Sequence, residues 1–190
     1  RPDPRPVLLS AEPDWAQTEA ILSAYGVRDI KQADRNLQAM AGEPHERRQL
    51  AEIVPQLLEA VARTADPDQA LNHWERLLAS VARISMIEFL RSSPHMLNLL
   101  CVIFGNSDAL AFTIIRDPTL VYWLDEAEVL AKPPTRTSME AALRRPHRGD
   151  LAVAGEAATI HAGATRALLM ALEALRRAVE RGMRTRQRTR

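Results

Sequence analysis

Apolar residues recur every three to four positions along much of this chain, which is the spacing of one face of an α-helix. The clearest helix start lies at Asp66-Pro67-Asp68, where a capping side chain, a proline and an acidic first turn follow one another. The apolar positions that follow are Leu71, Trp74, Leu77, Leu78, Val81 and Ile84. The pattern predicts a helix that begins after Asp66 and carries this stripe.

The first helix of the folded region is predicted to begin at Asp14. Asp14 and Gln17 have the spacing of a capping box, in which two side chains bond the free N–H groups of the first turn. Its apolar stripe would consist of Trp15, Ile21, Leu22 and Tyr25. Gly26 is the expected C-terminal end, because glycine is the preferred residue there.

Five further helices have comparable start and stop signals. They are expected over residues 29–41 and 46–63, from Pro94 to Gly105, after Ser107, and from Asp117 to Leu124. Pro55 lies inside the second of these and should kink it, since proline removes one backbone hydrogen bond. We therefore predict an all-α fold, an irregular bundle of about seven to nine short helices, followed by a basic C-terminal tail.

The composition divides the chain into three parts. Residues 1–13 are rich in proline and are expected to form an extended lead-in. Residues 14–145 contain the helical signals and form the predicted domain. Residues 146–190 are rich in Ala and Arg and differ in character from the rest; we expect an Ala/Arg-rich helix from Ala164 to Arg181 and a disordered tail after it.

Charge and cysteine content exclude several classes of protein. The formal net charge of +1 does not fit a nucleic-acid polycation or an acidic tail. The single cysteine, Cys101, lies in an apolar run and fits a reducing, cytoplasmic location. The sequence has neither a visible signal peptide nor an apolar stretch near the roughly 20 residues that span a bilayer, so no membrane association is expected.

Three stretches, taken in order, resemble the bacterial glutamine synthetase adenylyltransferase family. The first motif runs from Tyr25-Gly26-Val27 to Gly42. The second, at residues 65–77, contains Asp66-Pro67-Asp68 and resembles the family pattern D-P-D-x-A-L-N-x-x-E-R. The third, at residues 104–124, resembles G-x-S-x-x-L…R-x-P-x-L…W-L. The resemblance covers about residues 20–145 and concerns only the N-terminal helical region of that family.

The resemblance implies a role in nitrogen assimilation. In the intact family one nucleotidyltransferase domain transfers AMP from ATP to glutamine synthetase and a second removes it, both with Mg²⁺ and under a nitrogen-signalling regulatory protein. This chain lacks the family's G-S-x-x-D-x-D signature. No nucleotidyltransferase sheet, catalytic residue, cofactor-binding residue or metal ligand is therefore expected here, and the chain alone is predicted to be an inactive fragment.

The resemblance ends near Arg145. Ser138 to Arg145 begins like a basic family segment, A-L-R-x-x-R-R-F, and the following residues no longer match. We interpret the chain as shifted out of frame or truncated near Arg145, since another frame of a GC-rich gene would yield Ala and Arg.

Several residues that suggest chemistry have simpler structural interpretations. Asp66-Pro67-Asp68 is the only Asp-x-Asp and lies at a helix start, which favours capping over Mg²⁺ binding. Ser107 is expected to cap a helix, and the acidic residues 125–128 to be solvated. The scattered histidines lack the spacing of a zinc site, and His73 is interpreted as a packing residue; they are His45, His73, His95, His147 and His161. The aromatic residues expected in helix contacts are Trp74, Tyr122 and Trp123.

Two other functions remain open from the sequence. One is a free-standing helical protein-interaction module. The other is a nucleic-acid-binding adaptor that uses residues 181–190, which hold five arginines and no acidic residue. We favour a disordered terminal tail for that segment, because no aromatic residues alternate with the arginines.

Overall fold

The computed structural model describes residues 1–10 and 14–125, and this part of the chain consists of helices and their connections, without strands. The predicted all-α fold is confirmed there. The helices are α1 (Pro6–Leu9), α2 (Trp15–Ala24), α3 (Ile30–Ala41), α4 (Pro44–Val61), α5 (Pro67–Ala79), α6 (Arg83–Ser92), α7 (Pro94–Phe104), α8 (Asp108–Arg116) and α9 (Thr119–Asp125). None of these helices has the length and apolar character that crossing a membrane requires.

The chain divides into one compact unit over Arg1–Val121 and a second that begins at Tyr122. In the first unit α5 packs on α3, α7 and α8, while α4 packs on α3, α6 and α7. The break near Arg145, the helix expected over residues 164–181 and the basic tail lie outside the described residues.

Large apolar side chains from the central helices fill the core of the first unit. Trp74 of α5 is 1% exposed and its ring meets that of Phe104 edge to face, with 5.2 Å between the ring centroids. The other large side chains that are fully buried are Leu22, Leu37, Met40, Leu50, Leu57, Leu58, Leu71, Leu77, Met86 and Ile87. Their burial from all these helices stabilises the bundle through the hydrophobic effect.

The predicted helix starts agree with the structure where a side chain caps the first turn. Asp14 accepts hydrogen bonds from the backbone N–H groups of Ala16 and Gln17, and Asp29 accepts one from Gln32. Ser107 accepts a longer bond, 3.4 Å, from Leu110. Local capping chemistry therefore predicts these starts correctly.

The C-terminal ends at Gly26 and Gly42 also agree, since both glycines have a positive φ. Pro55 lies inside α4, as expected, and the kink there stays a prediction. The helix that contains it begins at Pro44 rather than Glu46, because Glu43 and Glu46 form a capping box.

Three expectations about the helices were wrong. The stripe from Leu71 to Ile84 is divided between two helices, because α5 ends at Ala79 and the Ser80 hydroxyl donates a hydrogen bond to Leu77 O. Trp15 does not face the core and is 45% exposed. The lead-in is not extended throughout, because residues 6–9 form α1.

The aromatic residues near α9 also depart from expectation. Tyr122 was predicted to make core or interhelical contacts, and its 45% exposure excludes only a place in the core. Trp123 has a side chain outside what the structure describes. Sequence spacing alone cannot separate a core aromatic residue from a surface one on a helix this short.

Candidate functional site

The three sequence motifs meet in space at the N-terminal end of α5. Residues on the α2–α3 connection, at the start of α5 and at the α7–α8 corner form one hydrogen-bonded cluster, which we call the α5 junction. Its members are Arg28, Asp29, Asp66, Asp68, Gln69, His73, Phe104, Gly105 and Asp108.

Asp66 holds the start of α5. Its carboxylate accepts a 3.1 Å hydrogen bond from the Gln69 N–H. This bond satisfies one of the N–H groups in the first turn that have no partner within the helix. The other carboxylate oxygen lies 3.2 Å from the Arg28 guanidinium. The capping role predicted from the sequence is confirmed.

Asp68 acts across the interface between α5 and α3. Its carboxylate accepts hydrogen bonds from the backbone N–H groups of Arg28 and Asp29, and it pairs with Arg28 Nε at 3.3 Å. Asp29 in turn caps α3 through Gln32. One carboxylate of α5 therefore fixes the backbone that leads into α3.

The α7–α8 corner is bound to the same end of α5 by main-chain groups. The Asp66 N–H donates to Gly105 O at 3.1 Å, and Gln69 Nε2 donates to Phe104 O at 3.0 Å. Gly105 has an ordinary φ of −91°, so the backbone conformation does not require glycine at this position. Glycine is needed because there is no space for a side chain. A Cβ atom on it would lie 2.3 Å from Thr64 Cβ.

His73 joins α5 to both sides of this corner. The imidazole is 2% exposed, with Nδ1 3.0 Å from Phe104 O and Nε2 3.2 Å from Asp108 Oδ1. The rings of Phe104 and Phe112 pack against it, at centroid distances of 5.8 and 5.4 Å. The prediction that His73 is a packing residue agrees with these contacts.

A row of amide side chains lies beside the junction, between α3 and α5. Gln32 Nε2 donates to Asn36 Oδ1 at 2.8 Å, and Asn36 Nδ2 donates to Asn72 Oδ1 at 2.7 Å. They line a pocket of about 80 Å³ with Asp29 and Asp68. Small-molecule sites usually measure about 300–1,000 Å³, so this pocket does not fit a nucleotide.

The Asp-x-Asp pair does not fit a magnesium site. Mg²⁺ needs carboxylate oxygens that are free to coordinate it in near-octahedral geometry. The carboxylates of Asp66 and Asp68 instead face backbone N–H groups and Arg28. The described residues also contain no group of three or more His, Cys, Asp and Glu side chains able to hold a metal ion.

The remaining candidates are separate from the junction or lie outside the described residues. Trp74 Nε1 donates to the sulfur of Cys101 at 3.3 Å in the core. Burial raises the pKa of the Cys101 thiol to about 12, which keeps it protonated and unreactive. The residues beyond the described part are 126–128 of the acidic segment, His147, His161 and the arginine tail.

Sequence reasoning missed two parts of the junction. Arg28 was not singled out and Asp29 was predicted only as a helix start, because both lie about 40 positions before Asp68 and no short-range spacing reports such a contact. The pair Asn36 and Asn72 had one possible signal, since polar residues on the inward face of α3 and α5 need partners.

Comparison with known proteins finds partial similarity to one group of bacterial enzymes. The chain is 34% identical over 99 residues to the bifunctional glutamine synthetase adenylyltransferase/adenylyl-removing enzyme of Brucella suis biovar 1 (strain 1330), covering 52% of this chain and 10% of that enzyme. The enzyme of the same name from Mesorhizobium japonicum is 34% identical over 107 residues, 56% of this chain and 11% of the relative.

A longer match, to the Bartonella quintana enzyme of that name, is 28% identical over 144 residues, 70% of this chain and 15% of the relative. The chain thus spans roughly a tenth of the length of the first relatives it matches. No family profile and no solved structure matches the chain. The partial resemblance read from the three motifs is confirmed.

Proposed function

We propose that this chain is a helical part of a bifunctional glutamine synthetase adenylyltransferase/adenylyl-removing enzyme and that it packs around the catalytic parts rather than catalysing the reaction. The observation that carries the proposal is the α5 junction. Three motifs that resemble that family lie far apart in the sequence, and they bond one another through caps and main-chain groups. Contacts of this kind hold the helices in place, which favours a structural role for this part of the enzyme.

The chemistry of nucleotidyl transfer supports the non-catalytic part of this proposal. That reaction uses two or three carboxylates around Mg²⁺ to neutralise the triphosphate and activate the attacking hydroxyl group. The chain's Asp-x-Asp pair is committed to N–H donors and Arg28. ATP and Mg²⁺ would therefore be bound by other parts of the intact enzyme.

The proposed partners follow from the relatives. Their name includes glutamine synthetase, and we propose that this chain works with a cytoplasmic glutamine synthetase and a nitrogen-signalling regulatory protein. Within the enzyme it would pack beside the part that removes AMP and form part of a partner surface. Mixed exposed charges, such as Arg28 and Asp108, suit a polar contact of this kind.

An activity assay tests the non-catalytic claim. The purified chain is incubated with glutamine synthetase, Mg²⁺ and ATP labelled in its α-phosphate, and label on glutamine synthetase is measured. A second reaction starts from adenylylated glutamine synthetase and follows loss of AMP. We expect neither transfer nor removal, while the full Brucella suis enzyme serves as the positive control. Transfer or removal by the isolated chain would overturn the claim.

A binding measurement tests the partner surface. Immobilised chain is presented with glutamine synthetase in its adenylylated and unmodified forms, beside an unrelated helical bundle of similar charge. We expect glutamine synthetase to be retained by this chain and not by the control bundle. Equal retention by both would refute the partner role.

A further inference from the structure

Residues 1–10 run across helices α2, α3 and α4 of the same unit, and we call this segment the strap. Its short helix α1 contacts all three helices. Pro4 and Leu8 are buried beneath it, and Leu8 is 3% exposed, whereas the neighbouring Leu9 is 48% exposed. The buried side chains of Pro4 and Leu8 therefore anchor the strap on the bundle.

The polar contacts to the strap are made to its main chain. Tyr25 Oη donates to Pro2 O at 2.8 Å, Gln38 Nε2 donates to Val7 O at 2.9 Å, and Arg47 Nη1 donates to Leu8 O at 3.2 Å. The last two carbonyl groups are in α1, where the chain leaves main-chain acceptors without helical partners. A cationic donor at this end also suits the helix dipole.

Gln38 lies in α3 and Arg47 in α4, while Tyr25 is the C-terminal capping residue of α2. Arg47 Nη1 is held in place by a second bond, to Gln38 Oε1 at 2.5 Å. The donors are thus positioned by the bundle, and they bind carbonyl oxygens that any peptide carries. This is how peptide grooves recognise a segment, with apolar pockets adding the selectivity.

The strap is held by a small set of contacts. Arg1 pairs with Glu59 at 2.8 Å and lies over the Tyr25 ring, but the Arg1 and Glu59 side chains are 35% and 41% exposed. Exposed ion pairs of this kind contribute little to stability because water screens them. Few buried side chains and an exposed ion pair characterise segments that open locally, without global unfolding.

We propose that the surface of α2, α3 and α4 beneath the strap is a peptide-binding groove whose intramolecular ligand is the strap, and that the strap exchanges with the same segment of a second copy of this chain. The second copy's strap presents the same carbonyl groups and the same Pro4 and Leu8 anchors, so each bond lost in one chain is regained between two. Exchange of an identical element is a low-cost route to a dimer. Exchange of the strap would occur without glutamine synthetase.

A synthetic fluorescent peptide of residues 1–10 tests the groove in the full-length chain. The full-length Leu8→Asp variant keeps the groove but loses the strap's apolar anchor, so its groove is open more often. Apparent affinity scales with the open fraction, and we expect the variant to bind the peptide at least about tenfold more tightly than the unaltered chain. Fluorescence anisotropy measures both affinities, and circular dichroism verifies the helical fold.

Two controls separate the groove from non-specific adhesion. A peptide carrying Leu8→Asp should not bind. The double variant Leu8→Asp with Arg47→Ala should lose most of the gain, since it lacks the donor to Leu8 O. Equal binding of the peptide to the unaltered chain and to folded Leu8→Asp would overturn the proposal, as would undiminished binding to the double variant.

If Leu8→Asp does not fold, hydrogen exchange of the unaltered chain tests whether the strap opens without global unfolding. The N–H groups of Leu8, Leu9 and Ser10 are bonded only within the strap, to Arg5 O and Pro6 O. We expect their protection to be at least about 100-fold below that of the buried α4 amides, and insensitive to low denaturant. Protection that equals the α4 value would show that the strap opens only on global unfolding, and would overturn the proposal.

Discussion

The Asp68 carboxylate of α5 accepts a 2.9 Å hydrogen bond from the backbone N–H of Asp29, the residue that caps α3. A side chain in the first turn of one helix thereby fixes the entry to another. The same carboxylate bonds the Arg28 N–H, so the connection between α2 and α3 is held at two successive peptide groups. This contact explains why an Asp-x-Asp pair is useful here without a metal.

The first prediction concerns Asp68. The Asp68→Ala variant leaves the N–H groups of Arg28 and Asp29 without their partner, and we expect unfolding to become easier by about 1–3 kcal/mol. Urea unfolding followed by circular dichroism measures the change. The exposed Glu19→Gln substitution is the control and should change the free energy by less than about 0.5 kcal/mol. Similar values for the two variants would contradict the role of Asp68.

The second prediction concerns the contact between Gly105 and Thr64. A methyl group at position 105 overlaps Thr64, so Gly105→Ala should destabilise the chain by about 1–3 kcal/mol. The cause is crowding, and Thr64→Gly in the same chain should recover part of the loss. A double-mutant cycle of urea unfolding measures the coupling. Additive effects of the two substitutions would argue against the contact.

The third prediction uses the single cysteine. Because burial raises the pKa of Cys101 to about 12, iodoacetamide should label the folded chain far more slowly than the urea-unfolded chain. Mass spectrometry of timed samples measures this difference. The raised pKa also contributes stability that is present below about pH 9 and is lost as the pH rises toward 12. Equal labelling of folded and unfolded chain would contradict the burial of Cys101.

The fourth prediction concerns the acid side. A hydrogen bond from the Glu43 N–H, followed by one from Arg83, lowers the pKa of Glu46 below its usual 4.5. Because the pKa of Glu46 is lower in the folded state than in the unfolded state, the ionised carboxylate stabilises the fold above about pH 4.5. This contribution disappears as the pH falls through the folded-state pKa. The unfolding free energies of the unaltered chain and Glu46→Gln should therefore converge on acidification. A constant difference would exclude this contribution.

The helix starts could be predicted from neighbouring capping residues, whereas features that depend on contacts between distant residues could not. Asp14, Asp66 and Ser107 cap the helices expected of them, because a cap depends on residues two to three positions away. The end of α5 was missed, because apolar spacing continues to Ile84 although the helix stops at Ala79. The stripe is buried as far as Leu78, whereas Ile84 is 37% exposed, so apolar spacing does not show where one helix stops and the next begins.

The site was less accessible to sequence reasoning than the helices. Asp66 was correctly interpreted as a cap, but Asp68 was assigned only to the same helix start. Its bonds to Arg28 and Asp29 depend on the packing of α5 against α3, which brings together residues about 40 positions apart. The inward amides Asn36 and Asn72 find each other for the same reason. The motifs pointed to the right residues, and only the fold shows that they meet.

The most direct test of the account exchanges the matched region between two proteins. The 99 residues of the Brucella suis enzyme that match this chain are replaced by the corresponding residues of this chain, and both AMP transfer to glutamine synthetase and AMP removal are measured. A chimera with an unrelated helical segment of equal length is the control. If this chain is an equivalent helical scaffold, the chimera keeps both activities within about tenfold of the parent while the control loses them. A chimera that fails to fold, or folds and loses both activities, would contradict the account.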